Sequence, residues 1–172
     1  VQGMRMLAED IARGGGELRL RQTDESRYVI GEDLAITPGK VIARSEICEI
    51  IQYAPATETV CRRPLLIIPP WINKFYILDL TPQKSFVRWC VEQGHTVFMV
   101  SWVNPDERHA AMGWESYIND GIDFALKTVQ TATGERDINA VGYCVGGTLL
   151  ATALARKSDK PKSRLPRVAS AT

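Results

Sequence analysis

The sequence has no apolar run near the roughly 18 to 20 residues that a membrane-spanning helix requires. Its charges almost cancel, with 21 Lys and Arg against 20 Asp and Glu, which gives no electrostatic preference for nucleic acid or an anionic membrane surface. The opening residues VQGMRM lack the compact apolar core of a secretion signal. These shortages predict a cytoplasmic protein that binds no nucleic acid and has no membrane span.

Cysteine is scarce, and its spacing argues against the common metal and redox motifs. The four cysteines are Cys48, Cys61, Cys90 and Cys144, and no two of them are separated by only two residues. No metal and no organic cofactor are therefore predicted. Cys48 and Cys90 fall in apolar segments, where a reduced cysteine is predicted to act as a small core residue.

The segment from Pro64 onward alternates short apolar runs with amphipathic stretches. Strands are predicted at 65–68, at 96–102 and over INAVG, because fully apolar runs are typical of strands buried on both faces of a parallel sheet. Thr81 and Pro82 are predicted to begin the helix between the first two strands. The pattern predicts an α/β fold, β-α-β-α-β-α, with a mostly parallel sheet and right-handed crossovers.

The residues before this segment carry a weaker pattern, and we assign them to an accessory region. Residues 2–13 predict a short helix, and residues 40–53 predict two strands joined by a turn at Ser45 and Glu46. The apolar face of the predicted helix consists of Met4, Leu7, Ala8 and Ile11. The chain is thus divided at residue 60, with the α/β pattern confined to 61–172.

The stretch INAVGYCVGGTLLATALA, residues 138–155, places a cysteine on a predicted tight turn between a strand and a helix. Gly142 and Gly146 lack Cβ atoms, so strand and helix can approach closely while Cys144 is exposed in a strained backbone conformation. The positive end of the helix favours a reactive thiolate. The amide of Val145 is predicted to bind a developing oxyanion. The structural alternative is a tight turn around a buried cysteine.

Cysteine at such a turn favours acyl transfer from thioesters over the hydrolysis of esters. A thiolate that attacks a thioester forms another thioester, so the covalent intermediate keeps its acyl-transfer energy. The second oxyanion donor of such a site comes from the loop after an earlier strand. That loop contains Trp71, Ile72 and Asn73, and we place the donor at the Ile72 amide. The structural alternative for Pro-Pro-Trp is a rigid strand exit.

The blocks PPWINKFYILDL, VEQGHTVFMVSWVNPD and GYCVGG together resemble the polyhydroxyalkanoate synthases, most closely those of class I, from about residue 17 to Ala155. The resemblance implies a partial α/β-hydrolase fold and an acyltransferase of poly-3-hydroxybutyrate biosynthesis. It implies that Cys144 attacks an (R)-3-hydroxyacyl-CoA, releases coenzyme A and carries the growing polyester as a covalent thioester. A homodimer in the full-length enzyme and association with the polyester granule surface are implied by the resemblance alone.

The chain departs from this family in its histidines, of which it has two. In α/β-hydrolases the acid and the histidine follow the nucleophile, whereas His95 and His109 both precede Cys144. His95 is predicted to be structural at a strand entry and His109 to lie in a polar loop, while Asp79 and Asp106 are predicted to be loop caps.

The missing histidine leads us to expect an internal fragment of a longer enzyme. Residues 1–60 would be the end of the synthase N-terminal region, and residues 61–172 the first half of the catalytic domain, truncated before its acid and histidine. We expect no polymerase activity from this polypeptide alone.

Two other functions are alternatives at this stage. A cysteine hydrolase of the dienelactone-hydrolase type also has Gly-Tyr-Cys at such a turn and would hydrolyse lactones, but the WINKFYILDL block argues against it. A non-catalytic truncated segment that binds granules or a partner subunit would account for the missing histidine, but the intact turn argues against it for the parent gene.

Overall fold

A computed structural model describes residues 1–22 and 27–158 and the backbone of residues 168–170. The strands are β1 (Gly39–Arg44), β2 (Cys48–Tyr53), β3 (Leu65–Ile68), β4 (Val97–Trp102), β5 (Ile138–Gly142) and β6 (Val168–Ser170). They form one six-stranded sheet in the order β1-β2-β4-β3-β5-β6. Strands β4, β3, β5 and β6 pair with one another in parallel, whereas β1 pairs with β2 and β2 pairs with β4 in antiparallel fashion. The predicted α/β class is confirmed.

The α-helices are α1 (Gln2–Arg13), α2 (Phe86–Glu92), α3 (Trp114–Ser116), α4 (Phe124–Thr133) and α5 (Val145–Ser158). Helix α1 precedes the sheet, and α2 to α5 lie in the connections between the parallel strands. A π-helical turn at Tyr117–Asp123 joins α3 to α4. No helix in the described ranges is long and apolar enough to cross a membrane.

The strand order explains where the helices pack. The step from β3 to β4 moves toward one edge of the sheet, while the step from β4 to β5 passes back over β3 toward the other edge. Right-handed crossovers that run in opposite directions place their helices on opposite faces. Accordingly, α2 packs on the face that carries Leu65 and Ile67, and α4 and α5 pack on the face that carries Leu66 and Ile68. Because β3, β4 and β5 are parallel, their carboxyl ends lie side by side at the same end of the strands.

Two strands of the predicted accessory region belong to this same sheet. The turn predicted near Ser45 separates β1 from β2, and β2 pairs with β4 from Cys48 opposite Trp102 to Gln52 opposite Phe98. Residues 39–53 therefore fold together with the segment that follows residue 60. The division of the whole protein at that residue stays a prediction.

The start of α2 differs from the sequence prediction, in which Thr81 caps the helix and Pro82 begins it. The helix begins at Phe86, and Ser85 is its N-cap because the Ser85 hydroxyl oxygen accepts a hydrogen bond from the Arg88 amide at 2.8 Å. Residues 79–85 form a turn ahead of the helix. The Ser85 hydroxyl holds this turn through a hydrogen bond to a buried carboxylate that also binds a distant segment. A local capping pattern cannot predict such a contact.

That contact is made by Asp79, whose side chain is 1% exposed. Its carboxylate accepts hydrogen bonds from the Thr37 amide at 3.2 Å, from the Thr37 hydroxyl at 2.7 Å and from the Ser85 hydroxyl at 2.5 Å. Asp79 therefore fastens the segment before β1 to the turn before α2. This structural arrangement agrees with the prediction that Asp79 is a loop cap.

We expect Asp79→Ala to lower the free energy of unfolding of the full-length protein by roughly 2–4 kcal/mol, because it leaves buried donors of Thr37 and Ser85 without an acceptor. Urea unfolding measures the change. Asp137→Ala is the matched control: its partly exposed ion pair with Arg63 spans 3.4 Å, and surface pairs contribute less than about 1 kcal/mol. Equal stability losses in the two variants would contradict the role of Asp79.

Helix α1 forms where it was predicted, but the described residues do not cover its apolar face. Met4 is 71% exposed, Leu7 37% and Ile11 39%. The helix is held instead through Asp10, whose carboxylate accepts a hydrogen bond from the Arg21 side chain at 2.8 Å. The periodicity correctly predicted the helix, while the packing of its face is not provided by this part of the chain.

Candidate active site

Cys144 lies at the carboxyl end of β5, on the turn into α5. Its φ angle is 55°, in the left-handed region that residues other than glycine seldom adopt, and its side chain is exposed. Such strained backbone persists only where the surrounding structure enforces it, and it is concentrated at functional sites. The interpretation of Cys144 as a buried residue in a tight turn is therefore wrong.

Close packing between α5 and β3 enforces this turn. A Cβ atom at Gly146 would lie 2.2 Å from the Ile68 carbonyl oxygen and 2.9 Å from that of Pro69, and one at Gly142 would lie 2.5 Å from the Gly147 Cα. Real side chains do not make contacts this short. The glycines in G-x-C-x-G thus permit the close approach of strand and helix that the sequence predicted.

The two predicted oxyanion donors lie in segments that begin beside this turn. Val145 is the first residue of α5, immediately after Cys144. Ile72 is in the loop after β3, and the start of that loop is joined to the turn by a 3.0 Å hydrogen bond from the Tyr143 amide to the Ile68 carbonyl. Neither the Val145 amide nor the Ile72 amide donates a hydrogen bond to another described residue. Their role as donors stays a prediction.

His95 and Cys144 lie at opposite ends of the parallel strands, so His95 is too far away to act on Cys144. It precedes the amino end of β4, whereas Cys144 follows the carboxyl end of β5, and both strands run parallel to β3. The Nδ1 atom of His95 is buried and has no hydrogen-bond partner among the described residues. This placement agrees with the predicted structural role.

His109 is buried in a 3-10 turn, Glu107–His109, within the segment predicted as a polar loop. Its Nδ1 lies 3.1 Å from the Asp106 amide, which donates to it, and 2.9 Å from an Asp106 carboxylate oxygen. Hydrogen bonds from Arg108 hold the pKa of Asp106 well below its usual range. Asp106 and His109 therefore form the cap of this one turn, and the His109 Nδ1 atom accepts its hydrogen bond from the Asp106 amide.

The other cysteines differ sharply in their exposure. Cys48 and Cys90 are buried, as predicted for core residues, and burial raises the pKa of each thiol to about 11. Cys61 is exposed, as is Cys144. Because only the thiolate is a strong nucleophile, two of these thiols are protected in the native protein.

We expect iodoacetamide at pH 8 to alkylate Cys144 and Cys61 in the native full-length protein and to leave Cys48 and Cys90 unmodified. At this pH a thiol with a pKa near 11 is ionised in about one molecule in a thousand, in addition to being shielded by burial. Peptide mass spectrometry after short exposure measures the modification, and the urea-unfolded protein, in which all four react, is the control. Alkylation of Cys90 at the rate of Cys61 would contradict the packing of α2.

Sequence reasoning missed the role of Trp102 beside this site. The indole N–H at the end of β4 donates a hydrogen bond to the Pro69 carbonyl at 2.7 Å, and both groups are buried. The available signal was a tryptophan at the carboxyl end of a core strand, since a buried indole N–H requires an acceptor.

Comparison with protein-family models agrees with the fold and with the blocks quoted from the sequence. Residues 1–90 match the family model described as poly-beta-hydroxybutyrate polymerase (PhaC) N-terminus, and residues 63–171 match that of the alpha/beta hydrolase fold. A solved alpha/beta hydrolase from Novosphingobium aromaticivorans is 12% identical, with a TM-score of 0.41 over 77% of this chain and 42% of that chain.

Named relatives are similar over nearly the whole chain. The poly(3-hydroxyalkanoate) polymerase subunit PhaC of Rhizobium etli is 66% identical over 96% of this chain and 26% of that protein. The subunit of the same name from Rhizobium meliloti is 63% identical over 96% of this chain and 27% of that protein. The chain thus spans about a quarter of the length of the curated relatives it matches. It belongs to the poly(3-hydroxyalkanoate) polymerase family and contains part of an α/β-hydrolase fold.

Proposed function

We propose that this chain supplies the nucleophile and the oxyanion donors of a polyhydroxyalkanoate synthase that polymerises (R)-3-hydroxyacyl-CoA. The observation that carries the proposal is the exposed Cys144 on a left-handed backbone turn at the start of α5. An exposed thiol held in this way is available to attack a carbonyl carbon from one defined direction.

The reaction begins when the Cys144 sulfur attacks the thioester carbonyl of the substrate. The carbonyl oxygen becomes an oxyanion, which accepts hydrogen bonds from the Val145 and Ile72 amides; both are free of other described partners. The bond to the coenzyme A sulfur then breaks, coenzyme A leaves as a thiolate that takes up a proton, and the acyl group remains on Cys144. The hydroxyl of another hydroxyacyl-CoA then loses its proton and attacks the carbonyl of this thioester. The bond to the Cys144 sulfur breaks, Cys144 leaves as a thiolate, and the acyl group is joined through an ester bond to the new unit. This longer chain is still a coenzyme A thioester, so Cys144 can attack it again and release coenzyme A.

A base must take the proton of the Cys144 thiol and later that of the attacking hydroxyl. His95 lies at the opposite end of the strands from Cys144, and the side chain of His109 is buried in its own turn, only 5% exposed. We therefore propose that the base and its acidic partner come from a part of the longer enzyme outside these 172 residues, and that this chain alone does not polymerise.

The partners follow from the same proposal. The substrate and product would be hydroxyacyl-CoA and a polyester chain, in keeping with the names of the relatives. The enzyme would be cytoplasmic and associated with the surface of polyester granules, as a homodimer in its full-length form.

The test incubates the full-length protein with 3-hydroxybutyryl-CoA and follows the release of free thiol, the product polymer and the mass of the peptide containing Cys144. Release of coenzyme A with an acyl adduct on Cys144 and insoluble polyester would support the proposal. Release of free 3-hydroxybutyrate without polymer would instead identify a hydrolase. The 172-residue chain is assayed in parallel, and turnover by it at the rate of the full-length protein would refute its proposed inactivity.

A further inference from the structure

We infer that Trp102 is a positioning residue that holds the loop after β3 so that the Ile72 amide faces the reacting carbonyl; this inference rests on the proposed function. Trp102 acts through the backbone of Pro69 and not through a contact of its own with the substrate, and the packing around its ring supports that role.

The Trp102 side chain donates a hydrogen bond to a peptide group that has a carbonyl acceptor but no N–H donor. The Trp102 indole N–H donates to the Pro69 carbonyl at 2.7 Å, and that carbonyl precedes Pro70, which has no N–H. Because Pro69 and Pro70 have restricted φ angles, a rotation of this carbonyl is transmitted along the loop toward Ile72. Without the indole, the buried carbonyl would have to turn elsewhere to find a donor.

The same carbonyl lies against the helix that follows the nucleophile. A Cβ atom at Gly146 would be 2.9 Å from the Pro69 carbonyl oxygen, so α5 and Trp102 confine that oxygen from two directions. One peptide group therefore fixes the position of the loop relative to Cys144. Oxyanion stabilisation depends on such fixed distances, because the donors must already point at the charge that develops.

The position of the Trp102 ring is itself closely determined. A Cβ atom at Gly121 would lie 2.6 Å from the ring, so the π-helical turn that contains Gly121 packs directly against it. The ring centroid of Trp102 is also 6.3 Å from that of Trp71 and 5.4 Å from that of Tyr117, which begins the same π-helical turn. The ring centroids of Tyr117 and Trp71 are 4.8 Å apart. Trp102 and Tyr117 therefore both pack against Trp71, the residue that directly precedes Ile72.

Trp102→Phe separates this role from simple packing, because it keeps an aromatic ring and removes only the indole donor and one ring. The oxyanion exists in the transition state and not in the bound substrate. We therefore expect kcat for coenzyme A release by the full-length enzyme to fall about tenfold to a hundredfold, while KM for 3-hydroxybutyryl-CoA changes by less than about threefold.

The control variant is Trp89→Phe, which alters an exposed tryptophan that stacks only on Phe86 of α2 among the described residues. The second readout is the rate at which iodoacetamide alkylates Cys144, since alkylation of the thiol forms no oxyanion. A lower kcat in Trp102→Phe with an unchanged alkylation rate and an unaffected Trp89→Phe enzyme would support the positioning role.

Three other outcomes would overturn the inference. The first is a kcat for Trp102→Phe within twofold of that for Trp89→Phe. The second is a parallel loss of kcat and of the Cys144 alkylation rate, which would indicate general damage to the turn. The third is a wild-type enzyme that releases no coenzyme A, and this result would remove the proposed function together with the inference.

Discussion

Replacement of Cys144 by alanine in the full-length protein is expected to lower the rate of coenzyme A release from 3-hydroxybutyryl-CoA by at least about four orders of magnitude. Loss of the nucleophile removes the covalent pathway, and the remaining oxyanion donors and binding contacts supply only residual catalysis. The variant is expected to fold normally, because the Cys144 side chain is exposed and alanine adopts the left-handed conformation no less easily. Free-thiol release and the mass of the peptide that contains residue 144 measure the effect.

Cys61→Ala is the matched control, because Cys61 is also an exposed free thiol but lies at the amino edge of the sheet, where its backbone amide bonds to Gly94. We expect this variant to retain wild-type activity and an acyl adduct on Cys144. Activity of Cys144→Ala above a tenth of the wild-type rate would exclude Cys144 as the nucleophile. An equal loss of activity in Cys61→Ala would show that the loss in Cys144→Ala is not specific to the nucleophile.

The second large effect is expected for Gly146→Ala, which removes no catalytic side chain. Its Cβ atom would lie 2.2 Å from the Ile68 carbonyl oxygen, a backbone atom that cannot move without displacing β3 or α5. We expect the free energy of unfolding to fall by about 2–3 kcal/mol. A shift of the nucleophile by about 1 Å relative to the loop donors would reduce coenzyme A release about a hundredfold.

Gly3→Ala is the control for this substitution, since Gly3 is also a helical glycine but its added Cβ atom would meet nothing within 4 Å. Alanine has the higher helix propensity, so this variant is expected to be neutral or slightly stabilising. Urea unfolding and thiol release are measured on both variants. A Gly146→Ala enzyme that matches Gly3→Ala in both measurements would show that the close contact of α5 with β3 is not required.

Several elements were predictable because their signals are local. The fully apolar run at 65–68 and the run that became β4 predicted buried parallel strands, and both formed with boundaries within a residue of the prediction. The spacing G-x-C-x-G predicted an exposed, strained Cys144, since a turn this tight requires residues without Cβ atoms on each side. The raised pKa of Cys90 follows from the apolar helix stripe that already predicted its burial.

Other features depend on contacts between residues far apart in the chain. Ser85 replaces Thr81 as the cap of α2 because Asp79, itself bonded to Thr37, holds the intervening turn. His109, predicted to lie in a polar loop, is buried because its ring completes a cap with Asp106. The Ser85 cap could not be read from the local pattern, because the distant partner Thr37 decides between capping residues of similar propensity. The Asp106–His109 cap is a local contact, and the polar sequence around it gave no sign that the His109 ring would be buried.

The sequence by itself determined the alternation of strands and helices and the position of the nucleophile turn, because hydrophobic periodicity and the absence of a Cβ atom are properties of neighbouring residues. Only the tertiary structure decided that β1 and β2 join the sheet at β4 and that Trp102 binds the Pro69 carbonyl. Strand order and a hydrogen bond that spans 33 residues are set by how packed layers exclude water and satisfy buried polar groups, and these conditions exist only once the whole sheet has formed.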